Sequence, residues 1–126
     1  MRLIDANVIL RYLLNDHEAL SPKAKEAVEQ GACTTIEVLA EVVYVLGGVY
    51  KAGRSEICDW LVCFLDEVSI GNKQATVYAL ERYRETNFDF IDCVLLGYNH
   101  VLGRSIYTFD KALSRMLRDG REQKDS

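Results

Sequence analysis

The sequence predicts an α/β fold in which a short parallel sheet is covered by helices on both faces. Short apolar, strand-like runs alternate with longer helical patterns along the chain, and strands separated by helices usually pair in parallel. The chain has 126 residues, of which 49% are hydrophobic, enough for one compact core. We therefore expect a single domain built as a three-layer α/β/α sandwich.

The first half of the chain alternates between strand and helix signals. In order, the predicted elements are a strand over Leu3–Asp5, a helix ending at Leu14, a helix from Ser21, a strand over Ala32–Thr34 and a helix over Ile36–Tyr50. The helix from Ser21 has Pro22 in its first turn and Gly31 just past its end, the usual places of these residues at helix ends. The helix from Ile36 is apolar around most of its circumference, which predicts burial on more than one side.

The second half continues the alternation. Its predicted elements are an amphipathic helix capped by Ser55, a strand over Val68–Ile70, helices over Lys73–Arg84 and Phe90–Leu102, a strand over Ser105–Phe109 and a last helix ending at Arg118. In the helix after Ser55, apolar residues including Trp60 and Phe64 share one face. We assign residues 1–119 to the domain and 120–126 to a polar C-terminal tail.

Acidic residues interrupt these apolar segments at Asp5, Glu41, Asp92 and Asp110. Carboxylates in apolar surroundings are costly unless they are paired, so a shared divalent cation is an economical explanation. Oxygen ligands favour Mg²⁺ or Mn²⁺ over zinc. Glu41 carries the most weight because no basic residue lies three or four positions away, and we expect its side chain to face protein. Glu37, three residues after Thr34, is explained by helix capping instead.

Helix capping is the alternative explanation for the three aspartates. Asp5 and Asp110 each end a strand-like run and begin a helical pattern, where a side-chain oxygen commonly accepts from a free N–H group. Asp89 and Asp92 have the spacing of a reciprocal capping pair. A purely structural explanation would have to hold at all of these positions together.

Cysteine usage and charge limit the other site chemistries. Four cysteines lie in apolar segments without a CxxC pair, which predicts reduced thiols, and a nucleophilic pair of Cys93 and His100 lacks an orienting third group. No segment has the pattern of a secretory signal or a membrane span, so we expect a cytoplasmic protein. The net charge of −4 is opposite in sign to the positive net charge typical of a general nucleic-acid binder. Arg11, Lys111 and Arg115 could still line a local basic groove.

Four segments of the chain resemble the successive acidic motifs of PIN-domain ribonucleases of the VapC-type toxin group: LIDANVILRYLL, TTIEVLAEVVYVL, FDFIDCVLLGY and YTFDKAL. The resemblance spans essentially the whole chain. It implies a PIN-like sandwich and an Mg²⁺-dependent endoribonuclease that hydrolyses RNA with metal-activated water, with Mn²⁺ as a substitute. By this resemblance Asp5, Glu41, Asp92 and Asp110 are the catalytic, metal-binding carboxylates.

The resemblance also implies supporting residues and partners. Asn7, Thr108 and Asp89 would support the site, although Ala6 stands where most relatives carry a hydroxyl residue. A VapB-like antitoxin would inhibit the toxin, which itself forms a homodimer. We expect the antitoxin to bind in a groove lined by five aromatic residues: Tyr12, Tyr44, Tyr50, Trp60 and Phe64. The alternative explanation of these aromatic residues is that they pack in the core.

Two other functions remain open from the sequence. One is a PIN-like module that binds RNA or an antitoxin without cleaving. The other is an aspartyl phosphotransfer domain of the receiver type, which also places carboxylates and Mg²⁺ at strand ends but needs an acidic pair beside the first strand. For a nuclease we expect single-stranded or looped RNA as the substrate, because its bases can be splayed out and read.

Overall fold

The structure is a computed structural model that describes residues 1–117. It divides into two compact units, Met1–Lys73 and a second unit that begins at Gln74. The predicted end of the last helix at Arg118 and the predicted tail 120–126 lie outside the described residues. In the described part of the chain, no helix combines the length and the apolar character that crossing a membrane requires.

The first unit is built on a three-stranded parallel sheet. Its elements are β1 (Arg2–Leu3), α1 (Ala6–Leu14), α2 (Leu20–Glu29), β2 (Ala32–Thr34), α3 (Ile36–Gly48), α4 (Arg54–Phe64) and β3 (Ser69–Ile70). β2 is the central strand, since Cys33 is paired with Leu3 on one side and with Ser69 on the other. Each strand is followed by a helix, so the predicted α/β class with a short parallel sheet is confirmed.

α3 is the central helix of the first unit and packs against α1 and α4. Leu39, Val42 and Leu46 on this helix are fully buried, as expected for a helix in contact with two neighbours. Its N-cap is Thr35, whose side chain accepts a hydrogen bond of 3.3 Å from the Val38 N–H. The prediction that Thr34 caps this helix was therefore wrong by one position.

Two further boundaries in the first unit differ from the prediction. β1 ends at Leu3, two residues before the predicted end, because Asp5 already serves as the N-cap of α1. α4 begins at Arg54 with Gly53 at its N-cap position, so Ser55 lies inside the helix and does not cap it. The predicted third strand is present, shortened to Ser69–Ile70.

The second unit is helical in its described part. It contains α5 (Lys73–Glu85, whose first residue closes the first unit), α6 (Phe90–Leu102) and a helical segment over 111–117. Leu96, Leu113 and Leu117 form a buried cluster in this unit, with Ile106 packed against it. α5 and α6 approach very closely at Gly97, where an added Cβ would lie 2.5 Å from the Ala75 carbonyl oxygen.

The predicted strand over Ser105–Phe109 is absent from the described residues, which show no strand after β3. The alternation that predicted it is nevertheless visible in the burial, since Ile106 and Thr108 are partly buried while Tyr107 and Phe109 are exposed. Ile106 packs on the leucine cluster. The alternating pattern therefore reflects one apolar contact of an irregular segment and not strand pairing.

Candidate functional site

Asp5 lies two residues after the end of β1, at the carboxyl end of the parallel sheet. Its Oδ1 accepts a hydrogen bond of 3.0 Å from the Val8 N–H and caps α1. The capping interpretation is thus confirmed for Asp5. Its second carboxylate oxygen has no hydrogen bond to residues 1–117 and the side chain is exposed, so the cap leaves one oxygen available to a ligand. Asn7, in the first turn of α1, is exposed as well.

Glu41 does not face protein, and that prediction was wrong. It lies on the exposed side of α3 with Glu37, Tyr44 and Gly48. These positions recur at helical spacing and form one solvent-facing stripe on an otherwise buried helix. Glu41 enters no ion pair within the described residues. Its carboxylate is therefore open to a ligand, although it is not a desolvated charge.

The first unit brings the beginnings of α1 and α3 to the same edge of its sheet. β1 and β2 are parallel neighbours, so the helices that follow them start at the same end. The Thr34 hydroxyl donates a hydrogen bond of 3.4 Å to the Ile4 carbonyl oxygen and joins the two strand ends. Asp5 is the N-cap at this edge, and Glu41 lies in the second turn of α3.

In the second unit, Asp92 occupies an electrostatically unfavourable position. It lies partly buried in the first turn of α6. Burial raises the pKa of its carboxyl above the usual value, and the nearby charges of Asp89 and Asp110 raise it further. No cation of residues 1–117 pairs with Asp92. The alternative of a reciprocal cap is wrong, because the Asp89 side chain makes no capping hydrogen bond.

Asp110 is held in place by hydrogen bonds on both sides. Its Oδ1 accepts a hydrogen bond of 2.7 Å from the Leu113 N–H, which caps the helical segment over 111–117. The Thr108 hydroxyl accepts one of 3.1 Å from the Asp110 N–H. Thr108 thus supports the backbone of Asp110, and the second carboxylate oxygen of Asp110 has no hydrogen bond within the described residues. As at Asp5, the cap uses one oxygen only.

The three basic residues predicted to contact RNA differ in their surroundings. Arg11 donates hydrogen bonds to the Tyr50 hydroxyl at 2.9 Å and to Asp16 at 2.6 Å. The Tyr50 hydrogen bond and the Asp16 charge raise the pKa of the Arg11 guanidinium. Lys111 directly follows Asp110, Arg115 lies one helical turn further on, and both are exposed. These two are therefore better placed to contact a phosphate than Arg11 is.

The five aromatic residues predicted to form one partner groove fall into two groups. Tyr12, Trp60 and Phe64 line a groove of about 310 Å³ in the first unit. Tyr44 and Tyr50 are exposed but do not line it. The core-packing alternative holds for Phe64, which is 2% exposed, but not for Trp60 at 36%.

The prediction missed the polar members of this groove, Asp59 and Glu67, together with Cys63. The Tyr12 hydroxyl donates a hydrogen bond to the Glu67 carboxylate, which is the main reason that the pKa of Tyr12 is raised to about 12. Asp59 and Cys63 could have been found from the helical spacing of α4, since they lie one turn apart beside Trp60 and Phe64.

The described geometry does not by itself assemble a metal centre. Among residues 1–117, no three histidine, cysteine, aspartate or glutamate side chains lie close enough together to hold a metal ion. What the structure shows is an exposed or partly buried carboxylate at each predicted position, with one electrostatic cluster of Asp89, Asp92 and Asp110 in the second unit.

Comparison with known proteins identifies the family of the chain. No curated protein and no solved structure matches the sequence. The sequence profile of the PIN domain, a family whose members are generally nucleases, matches residues 2–118. This match confirms the predicted PIN-like α/β fold and spans all four carboxylate motifs. The chain therefore belongs to the PIN-domain family.

Proposed function

We propose that this protein is an Mg²⁺-dependent endoribonuclease and the toxin of a toxin–antitoxin pair. The observation that carries the proposal is the state of Asp92, a partly buried carboxylate with like-charged neighbours and no cation among the described residues. Such a group favours the arrival of a positive charge. Asp92 also stands in one of the four motifs that the PIN-domain match spans.

The donor chemistry of Asp5, Glu41, Asp92 and Asp110 fits a hard divalent cation, Mg²⁺ with Mn²⁺ as a substitute. When bound, the cation would hold the scissile phosphate, lower the pKa of the attacking water and neutralise charge on the leaving oxygen. Asp5 and Asp110 each use one oxygen to cap a helix. The caps restrict these side chains, so less conformational entropy is lost when their second oxygens bind a ligand.

Glu41 and Glu37 provide a matched pair of variants that tests the site. Both are exposed glutamates on one stripe of α3. We expect Glu41→Gln to reduce RNA cleavage by orders of magnitude, because it removes a ligand charge. Glu37→Gln should retain cleavage and lose at most about 1 kcal/mol of favourable interaction with the helix dipole.

The measurement is end-mapping of total RNA after brief expression of each variant, with thermal unfolding as the control for folding. Hydrolysis by water should leave 5′-phosphate and 3′-hydroxyl ends. Equal loss of cleavage in the Glu41 and Glu37 variants would contradict the assignment of Glu41. A wild-type chain that binds RNA without producing new ends would favour the alternative, a PIN-domain module that binds without cleaving.

We further propose that a VapB-like antitoxin occupies the groove lined by Tyr12, Trp60 and Phe64. The groove walls are largely apolar, and Asp59 and Glu67 add two carboxylates. This combination suits an amphipathic helix with a basic residue beside its apolar face. Because the groove is open and Trp60 is 36% exposed, an inserted side chain would bury apolar surface that the isolated chain leaves in water.

Co-expression with the small reading frame next to the gene tests this partner. The complex should form with the wild-type chain and suppress its ribonuclease activity. Trp60→Ala should weaken binding by at least about 2 kcal/mol if Trp60 is a central anchor. Tyr44→Ala removes an aromatic residue that is 55% exposed outside the groove and should bind normally. Equal affinity of the two variants for the antitoxin would contradict the assignment of the groove. The proposed homodimer is tested separately, by sedimentation of the free toxin.

A further inference from the structure

The two most exposed large hydrophobic residues of the described chain stand immediately before Asp110. Tyr107 is 87% exposed and Phe109 is 90% exposed. Their ring centroids are 5.4 Å apart and the ring planes meet at 79°. This edge-to-face contact is a favourable arrangement of two aromatic rings, so the rings support each other although neither is buried. We call these two residues the aromatic pair.

The burial pattern of this segment agrees with the solvent exposure of both rings. The side chains of Ile106 and Thr108 are partly buried and alternate along the chain with the exposed rings of the aromatic pair. Ile106 packs on the cluster of Leu96, Leu113 and Leu117. Thr108 accepts the hydrogen bond from the Asp110 N–H. The segment is thus fixed on its inner side, and the aromatic pair occupies its outer side.

Exposed cations flank the aromatic pair on both sides in the sequence. Arg104 precedes it, and Lys111 and Arg115 follow it on the helical segment over 111–117. None of the three enters an ion pair with residues 1–117. Proteins bind single-stranded nucleic acid by combining exposed aromatic rings, on which bases stack, with cations that contact the phosphates.

We propose that Tyr107 and Phe109 stack against bases of a single-stranded RNA whose phosphates contact Lys111 and Arg115. The inference rests on the proposed function for the choice of RNA as ligand. It adds a substrate-positioning surface to that function, adjacent in the chain to Asp110, one of the proposed metal ligands. Stacking also accepts any base, so this surface contributes affinity and register but little base selectivity.

Binding in EDTA tests the inference separately from cleavage. The full-length chain is titrated into a labelled oligouridylate, and into the same strand with abasic positions, while fluorescence anisotropy is recorded. Tyr107→Ala and Phe109→Ala should each weaken binding of the intact strand at least about fivefold, the lower end of a base–aromatic stack. Phe109→Trp should retain binding, because any aromatic ring can stack. Tyr44→Ala, an exposed aromatic residue in the other unit, should have no effect.

The abasic strand distinguishes stacking from other effects. On the abasic strand, which offers no base to stack at those positions, Phe109→Ala and the wild type should bind with equal affinity. Lys111→Gln should bind both strands more weakly than the wild type, and by the same factor. Unchanged RNA binding in both alanine variants would overturn the inference. So would equal weakening on the two strands, or a wild-type chain that does not bind. A loss of self-association in Phe109→Ala with unchanged RNA binding would show instead that the aromatic pair contacts a second copy of the chain.

Cleavage distinguishes this inference from the proposed function. A chain that stacks RNA as described but does not cleave it with Mg²⁺ would refute the nuclease and leave the aromatic surface in place. A chain that cleaves RNA but binds it equally well without the aromatic pair would refute the surface alone. Thermal unfolding of the alanine variants should match the wild type, since both side chains are almost fully exposed.

Discussion

The surroundings of Asp92 oppose the ionisation of its carboxyl group. A carboxyl whose pKa is raised by folding stabilises the native state only while it is protonated. That stability is complete below the reference value of 3.8 and is lost as the pH rises through the raised pKa. At neutral pH the ionised Asp92 therefore destabilises the metal-free fold.

We expect Asp92→Asn to raise the melting temperature in EDTA at neutral pH and to change it little below pH 3.8. The measurement is thermal unfolding of both chains across this pH range. Asp89→Asn is the control, because it removes only one of the two like charges near Asp92 and should stabilise less. A lower melting temperature of Asp92→Asn at neutral pH would mean that the carboxylate makes a favourable structural contact.

The chemistry of individual residues was partly predictable from the sequence. The caps at Asp5 and Asp110 followed from their place between a strand-like run and a helix, and both are present. The burial of Glu41 could not be predicted correctly, because a helix of apolar residues can still leave a narrow stripe in solvent. Periodicity reports which residues share a face but not which face the neighbouring elements cover.

At the scale of elements, the close contact of α5 and α6 depends on Gly97. An added Cβ would lie 2.5 Å from the Ala75 carbonyl oxygen, closer than the two atoms can approach. Because that oxygen belongs to the backbone, the helices would have to move apart. We expect Gly97→Ala to destabilise the protein by about 1–3 kcal/mol, the usual cost of overpacking.

Gly48 at the end of α3 provides the control for this prediction. A Cβ added there meets nothing within 4 Å. Gly48→Ala should therefore be neutral or stabilising by up to about 1 kcal/mol, since alanine has the higher helix propensity. Urea unfolding of the two variants gives the comparison. A Gly97→Ala variant as stable as Gly48→Ala would contradict the close approach of the helices.

The elements themselves were predicted unequally well. Helices were found because their apolar periodicity extends over many residues, as in α3 and α6. Strands of two or three residues offer little pattern, and those of the sheet could be predicted only from their apolar character between helices. Over Ser105–Phe109 the apolar character was misleading. The contact of Ile106 with the leucine cluster produces an alternation of buried and exposed side chains, although no strand is paired with this segment.

At the scale of the whole molecule, a net charge of −4 opposes a polyanionic substrate. In the proposed function, RNA binding therefore depends on local positive charge. Lys111 and Arg115, which follow Asp110 in the chain and are exposed, would supply some of it. In the proposed function, a divalent cation supplies the rest at the carboxylates. The same cation would remove the repulsion at Asp92, so metal binding and stability should rise together.

In the proposed function, RNA cleavage depends on a divalent cation held by Asp5, Glu41, Asp92 and Asp110. The most direct measurement is cleavage of a labelled single-stranded RNA by the purified chain in EDTA, and again after Mg²⁺ or Mn²⁺ is added in excess. We predict no cleavage in EDTA, recovery with either metal, and none with Asp92→Asn under any of these conditions. Undiminished cleavage in EDTA, or cleavage by Asp92→Asn with the metal added, would refute the proposed role of the cation and of Asp92.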